Sequence, residues 1–150
     1  MALTFENRIQ ILETQPRINS GASLTLNAVL HAGRVILLNQ AAGEAITLPA
    51  ATGTGNKYFL FKSVSLSSNT TTIKVANATD VMAGSANVAA TASGTFPTTS
   101  TSDTITFNAT TQGGLLGSFV EIEDIASGVF RVLAHVVGSG TAVTVFSATV

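Results

Sequence analysis

The sequence predicts an all-β fold, a small antiparallel β-sandwich or barrel with an extended N-terminal arm, and three observations carry that prediction. From about residue 34 onward, short β-branched or aromatic runs alternate with clusters of Gly, Ser, Asn and Asp, the pattern of strands and turns. No stretch there keeps the apolar spacing of a helix. The length, 150 residues, suits one domain that buries about 70% of the surface its unfolded chain would expose. The chain divides into an arm, residues 1–20, and a β domain, residues 21–150.

The arm comes first in order. Glu6, Arg8, Glu13 and Arg17, four of the chain's 15 charged residues, fall within its first 17 positions, and Pro16 interrupts it. Phe5, Ile9 and Leu12 have helical spacing, whereas Ile9 and Ile11 alternate as in a strand. Its conformation stays open, and it is read as a segment that docks outside its own domain. Eight strands are then expected: Arg34 to Asn39, Ala45 to Leu48, Tyr58 to Val64, Thr71 to Ala76, Thr104 to Asn108, Gly117 to Ile125, Val129 to Val137 and Thr141 to Ala148. The stretch GSANVAATASGTFPTTSTS, ending at Ser102, is poor in large side chains. It reads as a long surface loop, or as two weak strands around Val88 and Phe96.

The last three strands are expected to form an antiparallel meander through tight turns at residues 126–128 and 138–140. In that register Ile125 pairs with Val129, Glu123 with Arg131 and Phe119 with His135. Alternation then places Val120, Ile122, Phe130, Val132, Ala134, Val136 and Phe146 on a core face. The opposite face carries Glu121, Glu123, Arg131 and His135 together with Leu133, Val137, Val143 and Val145. That is too apolar for a face left in water, so Leu133, His135, Val137, Val143 and Val145 are predicted to meet another subunit.

Composition narrows the function classes. Charged residues make up 10% of the chain against a usual 25% or so, and the net charge is −1. Little self-repulsion keeps copies apart, which predicts an oligomer. The basic residues are dispersed, so nucleic acid is not an expected partner. The chain has no cysteine, which excludes disulfides and thiolate sites. No apolar run reaches the roughly 20 residues of a membrane span, and MALTFENRIQ lacks a signal-peptide pattern, so no membrane is expected and synthesis in a cytosol is.

Four patterns could carry chemistry. Gly53-Thr54-Gly55-Asn56-Lys57 resembles a phosphate loop in composition, but Tyr58-Phe59-Leu60-Phe61 after it is a strand rather than a helix, so the glycines are expected to reverse the chain. His31 and His135 have no H-x-x-x-H partner for a metal. Glu121, Glu123 and Asp124 form the one dense acidic run, yet alternation sends Asp124 to the other face, and Glu123 is expected to pair with Arg131. Asn69-Thr70-Thr71, Asn77-Ala78-Thr79 and Asn108-Ala109-Thr110 match the glycosylation acceptor pattern, as a Thr-rich chain does at random. No nucleophile elbow is present. The chain reads as no enzyme, with no cofactor and no metal.

ITLPAATGTGNKYFLF at 46–61, followed by TTIKVANATDVMAGSA at 71–86, resembles a sequence type recurrent in structural proteins of tailed-bacteriophage virions, among them head decoration, or capsid-stabilising cement, proteins. The resemblance covers about residues 34 to 90. It implies a small β-protein, often a homotrimer, on the capsid exterior at three-fold or quasi-three-fold sites, with the major capsid protein as partner. Phe5, Ile9, Ile11 and Leu12 would then be apolar anchors of the arm on the capsid, with Arg8 and Arg17 as polar rim contacts. The alternative is a receptor-binding or fibre-tip module recognising host glycans through its Thr, Ser and Asn-rich loops. A polysaccharide hydrolase would need Glu121 and Glu123 as an acid pair.

Overall fold

The computed structural model describes residues 17–150. They build two β-sheets packed face to face. Strands β1 (Ile18–Asn19), β3 (Val35–Leu38), β5 (Lys57–Lys62), β10 (Phe119–Ala126), β11 (Val129–Val137), β7 (Val81–Ala89) and β8 (Gly94–Pro97) form a seven-stranded sheet in that order. A five-stranded sheet runs β12 (Phe146–Ser147), β9 (Thr104–Phe107), β6 (Thr71–Lys74), β4 (Ala45–Thr47) and β2 (Ser23–Thr25). Helix among the described residues is the single turn α1 (Ala28–His31), opened by the Asn27 side chain accepting from the Leu30 N–H. The all-β sandwich is as the sequence predicts.

The sheets are mixed rather than purely antiparallel, and the reason is topological. From β1 to β6 each strand crosses to the opposite sheet, so β1, β3 and β5 lie parallel in the large sheet and β2, β4 and β6 lie parallel in the small one. Parallel neighbours need a crossover. Here the crossover of one sheet is a strand of the other, and the N-terminal half is a two-sided coil. From β7 on, antiparallel pairing closes the structure, apart from the parallel β7–β11 ladder.

In the C-terminal half one open alternative is decided and two expectations change. The segment around Val88 and Phe96 is two strands, and β7 lies inside the large sheet. A Cβ at Gly84 would run into the Val132 carbonyl, so a bare backbone allows β7 to lie close to β11. The β10–β11 hairpin keeps the predicted Phe119–His135 and Glu123–Arg131 pairs, but a bulge sets Ala126, not Ile125, opposite Val129. The third strand of the meander is not there: residues 138–145 carry the chain to the small sheet, where β12 pairs with β9. The GSG turn is therefore a crossing between sheets.

The core lies between the sheets. Ile36, Leu38, Tyr58, Leu60, Val120, Ile122, Phe130, Val132 and Val136 point into it from the large sheet, and Ile46, Ile73, Ile105, Phe107 and Phe146 from the small one. All seven residues assigned to the core face of the last strands are buried. Alternation along β5 also sends Lys62 inward after Tyr58 and Leu60. Its ammonium meets Glu44, the Gln40 carbonyl at 2.8 Å and the Thr71 hydroxyl at 3.3 Å. Glu44 also accepts from the Ser20 hydroxyl and the Gln40 N–H, at 3.1 and 2.9 Å. Unpaired, either charge would cost several kcal/mol in this interior. Fully partnered, the pair pins the two sheets together and ties Ser20 to the core, so the β domain begins with β1 rather than after residue 20.

Candidate interaction surface

The carboxylates of the described residues show what chemistry the molecule is built for. Asp124 is buried, and the glycine-threonine-glycine turn wraps around it. The N–H groups of Thr52, Gly53 and Thr54 donate to it at 3.0, 2.7 and 3.1 Å, and the Thr54 hydroxyl at 2.6 Å. Gly53 and Gly55 supply the positive φ, 76° and 73°, that this curl requires. The turn is an anion nest occupied by a carboxylate of its own chain. Burial would raise the Asp124 pKa, but the hydrogen bonds from Thr54, Gly53 and Thr52 together outweigh it and hold the carboxyl below its ordinary range. Burial first, and the Asp124 charge second, push the neighbouring Tyr58 hydroxyl up.

Asp80 and Asp103 do the same work elsewhere. Asp80 accepts from the Ala51 N–H at 2.9 Å, and Asp103 accepts from Thr149 N–H, Val150 N–H and the Thr104 hydroxyl, which tethers the C-terminal residues. Burial would raise the Asp103 pKa too, and these bonds lower it overall. Glu121 and Glu123 lie on the outer face, both held by Arg131 at 2.7 and 2.9 Å, with Lys57 at 3.7 and 3.8 Å. The bond to Glu123 raises the Arg131 pKa most, burial opposes it next, and the charge of Glu123 with the bond to and charge of Glu121 carry the net shift upward. Every described carboxylate is thus engaged by its own chain, and no group of three or more metal-ligating side chains occurs among the described residues.

The remaining motifs resolve into local structure. The Asn77 side chain accepts from Thr79 and Asp80, and that of Asn108 from Thr110 and Gln112, so two of the acceptor tripeptides are Asn-headed turns. Buried His31 takes the Asn27 N–H on Nδ1 at 2.9 Å. His135 is exposed on the large sheet, between Phe119 and Asn87.

The outer face of the large sheet is the unusual surface. Val35 and Leu37 on β3, Phe59 and Phe61 on β5, Phe119 on β10 and Leu133 and Val137 on β11 all point outward from neighbouring strands. Cross-strand register joins Leu37, Phe61 and Phe119 in one row and Val35 and Phe59 in the next, while Glu121 stands between Phe59 and Leu133 and His135, not Val137, stands opposite Phe119. Phe59 stacks on Phe119 with centroids 6.4 Å apart, while Val35 and Leu133 remain 38% and 51% exposed. The Lys57–Glu121–Glu123–Arg131 cluster borders the β3–β5 part at one end and, through Glu121, reaches between Phe59 and Leu133. At the β1 edge of the face a groove of about 360 Å³ opens, lined by Arg17, Val35, Leu37, Phe61 and Ser63.

Against this geometry the predicted interface divides. Leu133, His135 and Val137 share the outer face, as alternation requires. Val143 is exposed, but in the crossing segment, where its N–H meets the Thr111 carbonyl. Val145 is completely buried and belongs to the core, a correction that follows from the missing third meander strand. Of the arm residues, Phe5, Arg8, Ile9, Ile11 and Leu12 lie outside the described residues, and Arg17 lines the groove of its own chain. The patch residues on β3, β5 and Phe119 were missed as a surface. The signal was present in Tyr58-Phe59-Leu60-Phe61, where both parities are apolar and one must face outward.

No family model, curated protein or solved structure matches this chain. Among the described residues no helix is long and apolar enough to cross a membrane.

Proposed function

We propose that this chain is a structural virion protein that decorates and stabilises a bacteriophage capsid, as a homotrimer bound to the major capsid protein at three-fold or quasi-three-fold sites. The observation that carries the reading is the apolar outer face of the large sheet on a chain otherwise short of charge. Such a surface suits burial between protein partners better than exposure to water. The engaged carboxylates fit the same reading, since they brace loops against the sandwich and leave the molecule a passive, rigid brick. Leu133, His135 and Val137 are assigned to contact between subunits, and the arm to the capsid. Stabilisation is mechanical: area buried across capsomer seams raises the barrier to their separation, and three arms on one trimer bind by avidity.

The test mixes purified protein with undecorated phage heads and images them. Density at three-fold positions, and its loss when residues 1–16 are removed, is the expected result. The cut stops at residue 16 because Ile18, Asn19 and Ser20 belong to the folded sandwich. Bare heads with the full chain would contradict the proposal. The glycan-binding alternative gains nothing specific from the surface, whose aromatic residues are Phe rather than Trp or Tyr.

A further inference from the structure

The buried contact between Lys62 and Glu44 places an amine, a carboxyl group and the hydrogen-bonding groups that acyl transfer needs in one site closed to water. Both side chains are 0% exposed, and Thr71 beside them is equally buried. The Lys62 ammonium has three acceptors, Glu44 Oε1, the Gln40 carbonyl at 2.8 Å and Thr71 Oγ1 at 3.3 Å. Thr71 Oγ1 in turn donates to Oε1 at 3.2 Å, so one hydroxyl bridges amine and carboxyl. The other carboxyl oxygen, Oε2, takes the Gln40 N–H at 2.9 Å and the Ser20 hydroxyl at 3.1 Å. We propose that in the folded chain these two side chains condense to an isopeptide bond between Lys62 Nζ and Glu44 Cδ.

Each carboxyl oxygen has its own part in the step. One Nζ proton passes directly to Oε1, which frees the nitrogen lone pair to attack Cδ. Negative charge then develops on Oε2, where two donors already point, the arrangement that stabilises a tetrahedral intermediate of acyl transfer. A second Nζ proton passes through the Thr71 hydroxyl to Oε1, the Cδ–Oε1 bond breaks, and Oε1 leaves as water. The third proton stays on the amide nitrogen, bonded to the Gln40 carbonyl. Nothing is oxidised or reduced, and no outside reagent enters.

Burial supplies the driving force. Two charges that are costly to keep in the interior give way to a neutral amide whose N–H and C=O retain their partners, and the water is released to solvent. The fold supplies the encounter, because it holds the reacting groups in contact. Lys57 shows the contrast: it lies 3.7 and 3.8 Å from Glu121 and Glu123, but its side chain is 45% exposed, so it stays an ion pair in water. The new bond joins the last residue of β5 in the large sheet to the residue before β4 in the small one, a link between the sheets that survives unfolding. The inference concerns the free chain and stands without the capsid reading.

Mass spectrometry of the full chain, purified folded and then denatured for the measurement, is the test. The main species is expected to be one water lighter than its sequence requires, and a digest is expected to yield a branched peptide joining the Lys62 segment to the Glu44 segment. Lys62→Arg keeps the charge but not the primary amine, and is expected at its full sequence mass. If that variant does not fold, the digest of the parent chain decides alone. A parent chain found mainly at its full sequence mass, or a water loss located anywhere other than between Lys62 and Glu44, overturns the proposal. Neither result bears on capsid binding.

Discussion

The two outer faces of the sandwich answer the same problem in opposite ways. On the small sheet, Ser23, Thr25, Thr47, Thr72, Lys74, Thr106 and Ser147 alternate outward from Leu24, Ile46, Ile73, Ile105 and Phe146. Threonine keeps the β-branched shape that suits a pleated surface and gives water a hydroxyl to bind. On the large sheet the outward positions hold Val35, Leu37, Phe59, Phe61, Phe119 and Leu133 beside the charged Lys57, Glu121, Glu123 and Arg131. Both faces are built from good strand formers, but only the large sheet exposes large apolar and aromatic side chains between its charges. Strand propensity explains the fold equally well either way, so the difference between the faces is not one of fold.

The comparison depends on which side chains count as outer, and β5 offers the sharpest way to break it. Lys62 points in and Lys57 points out on the same strand. Lys62→Met leaves Glu44 buried without its cation and is expected to cost about 3–5 kcal/mol in denaturant melts. Lys57→Met is expected to stay within about 0.5 kcal/mol. Equal losses would mean that the two faces have been misassigned.

Next in size is the clamp that holds the 52–54 turn against β10. Asp124→Asn keeps the shape but removes the charge that three backbone N–H groups share, with an expected loss of about 2–3 kcal/mol at neutral pH. The folded pKa of Asp124 and of Asp103 is depressed. Their stabilisation is therefore present above the unfolded carboxylate pKa of about 3.9, and it is lost as pH falls through the lower folded values. Thermal melts of the parent chain should fall steeply in that acid range, and those of Asp124→Asn less steeply. Parallel curves would remove the clamp from the account.

Smallest are the surface substitutions, which compare the faces directly. Phe59→Thr with Phe119→Thr, copying the small sheet onto the large one, is expected to cost about 1–2 kcal/mol through lost stacking and partial burial. It should also lower the binding of an apolar fluorescent dye. Thr106→Ser is expected to change stability by less than about 0.5 kcal/mol and dye binding not at all. A larger dye response from the threonine face would reverse the contrast.

The sandwich was legible where side chains are large and alternate. Tyr58 to Lys62, Phe119 to Asp124 and Phe130 to Val136 announce strand, parity and even register, because one slip would turn every buried side chain outward. It was illegible at β7, where Gly84, Ser85, Ala86 and Asn87 have weak strand preference. There the close approach of β11 selects small residues over strong formers. The coil of β1 to β6 left no repeat to find, since its turns differ in length. The nest at residues 52–54 looked like a turn and is one, but its partner Asp124 lies some 70 positions away, and nothing local in the sequence announces it. The outer patch needed both strand order and parity, and sequence supplied only the second.

Sedimentation equilibrium of the full chain, beside Leu133→Asp and Thr106→Asp, tests most directly whether the large sheet's outer face is the contact surface. The account predicts an assembly of about three times 15.3 kDa for the parent chain and for Thr106→Asp, and a species of 15.3 kDa for Leu133→Asp. A 15.3 kDa parent chain, or an assembly that Thr106→Asp dissolves and Leu133→Asp leaves intact, would contradict it.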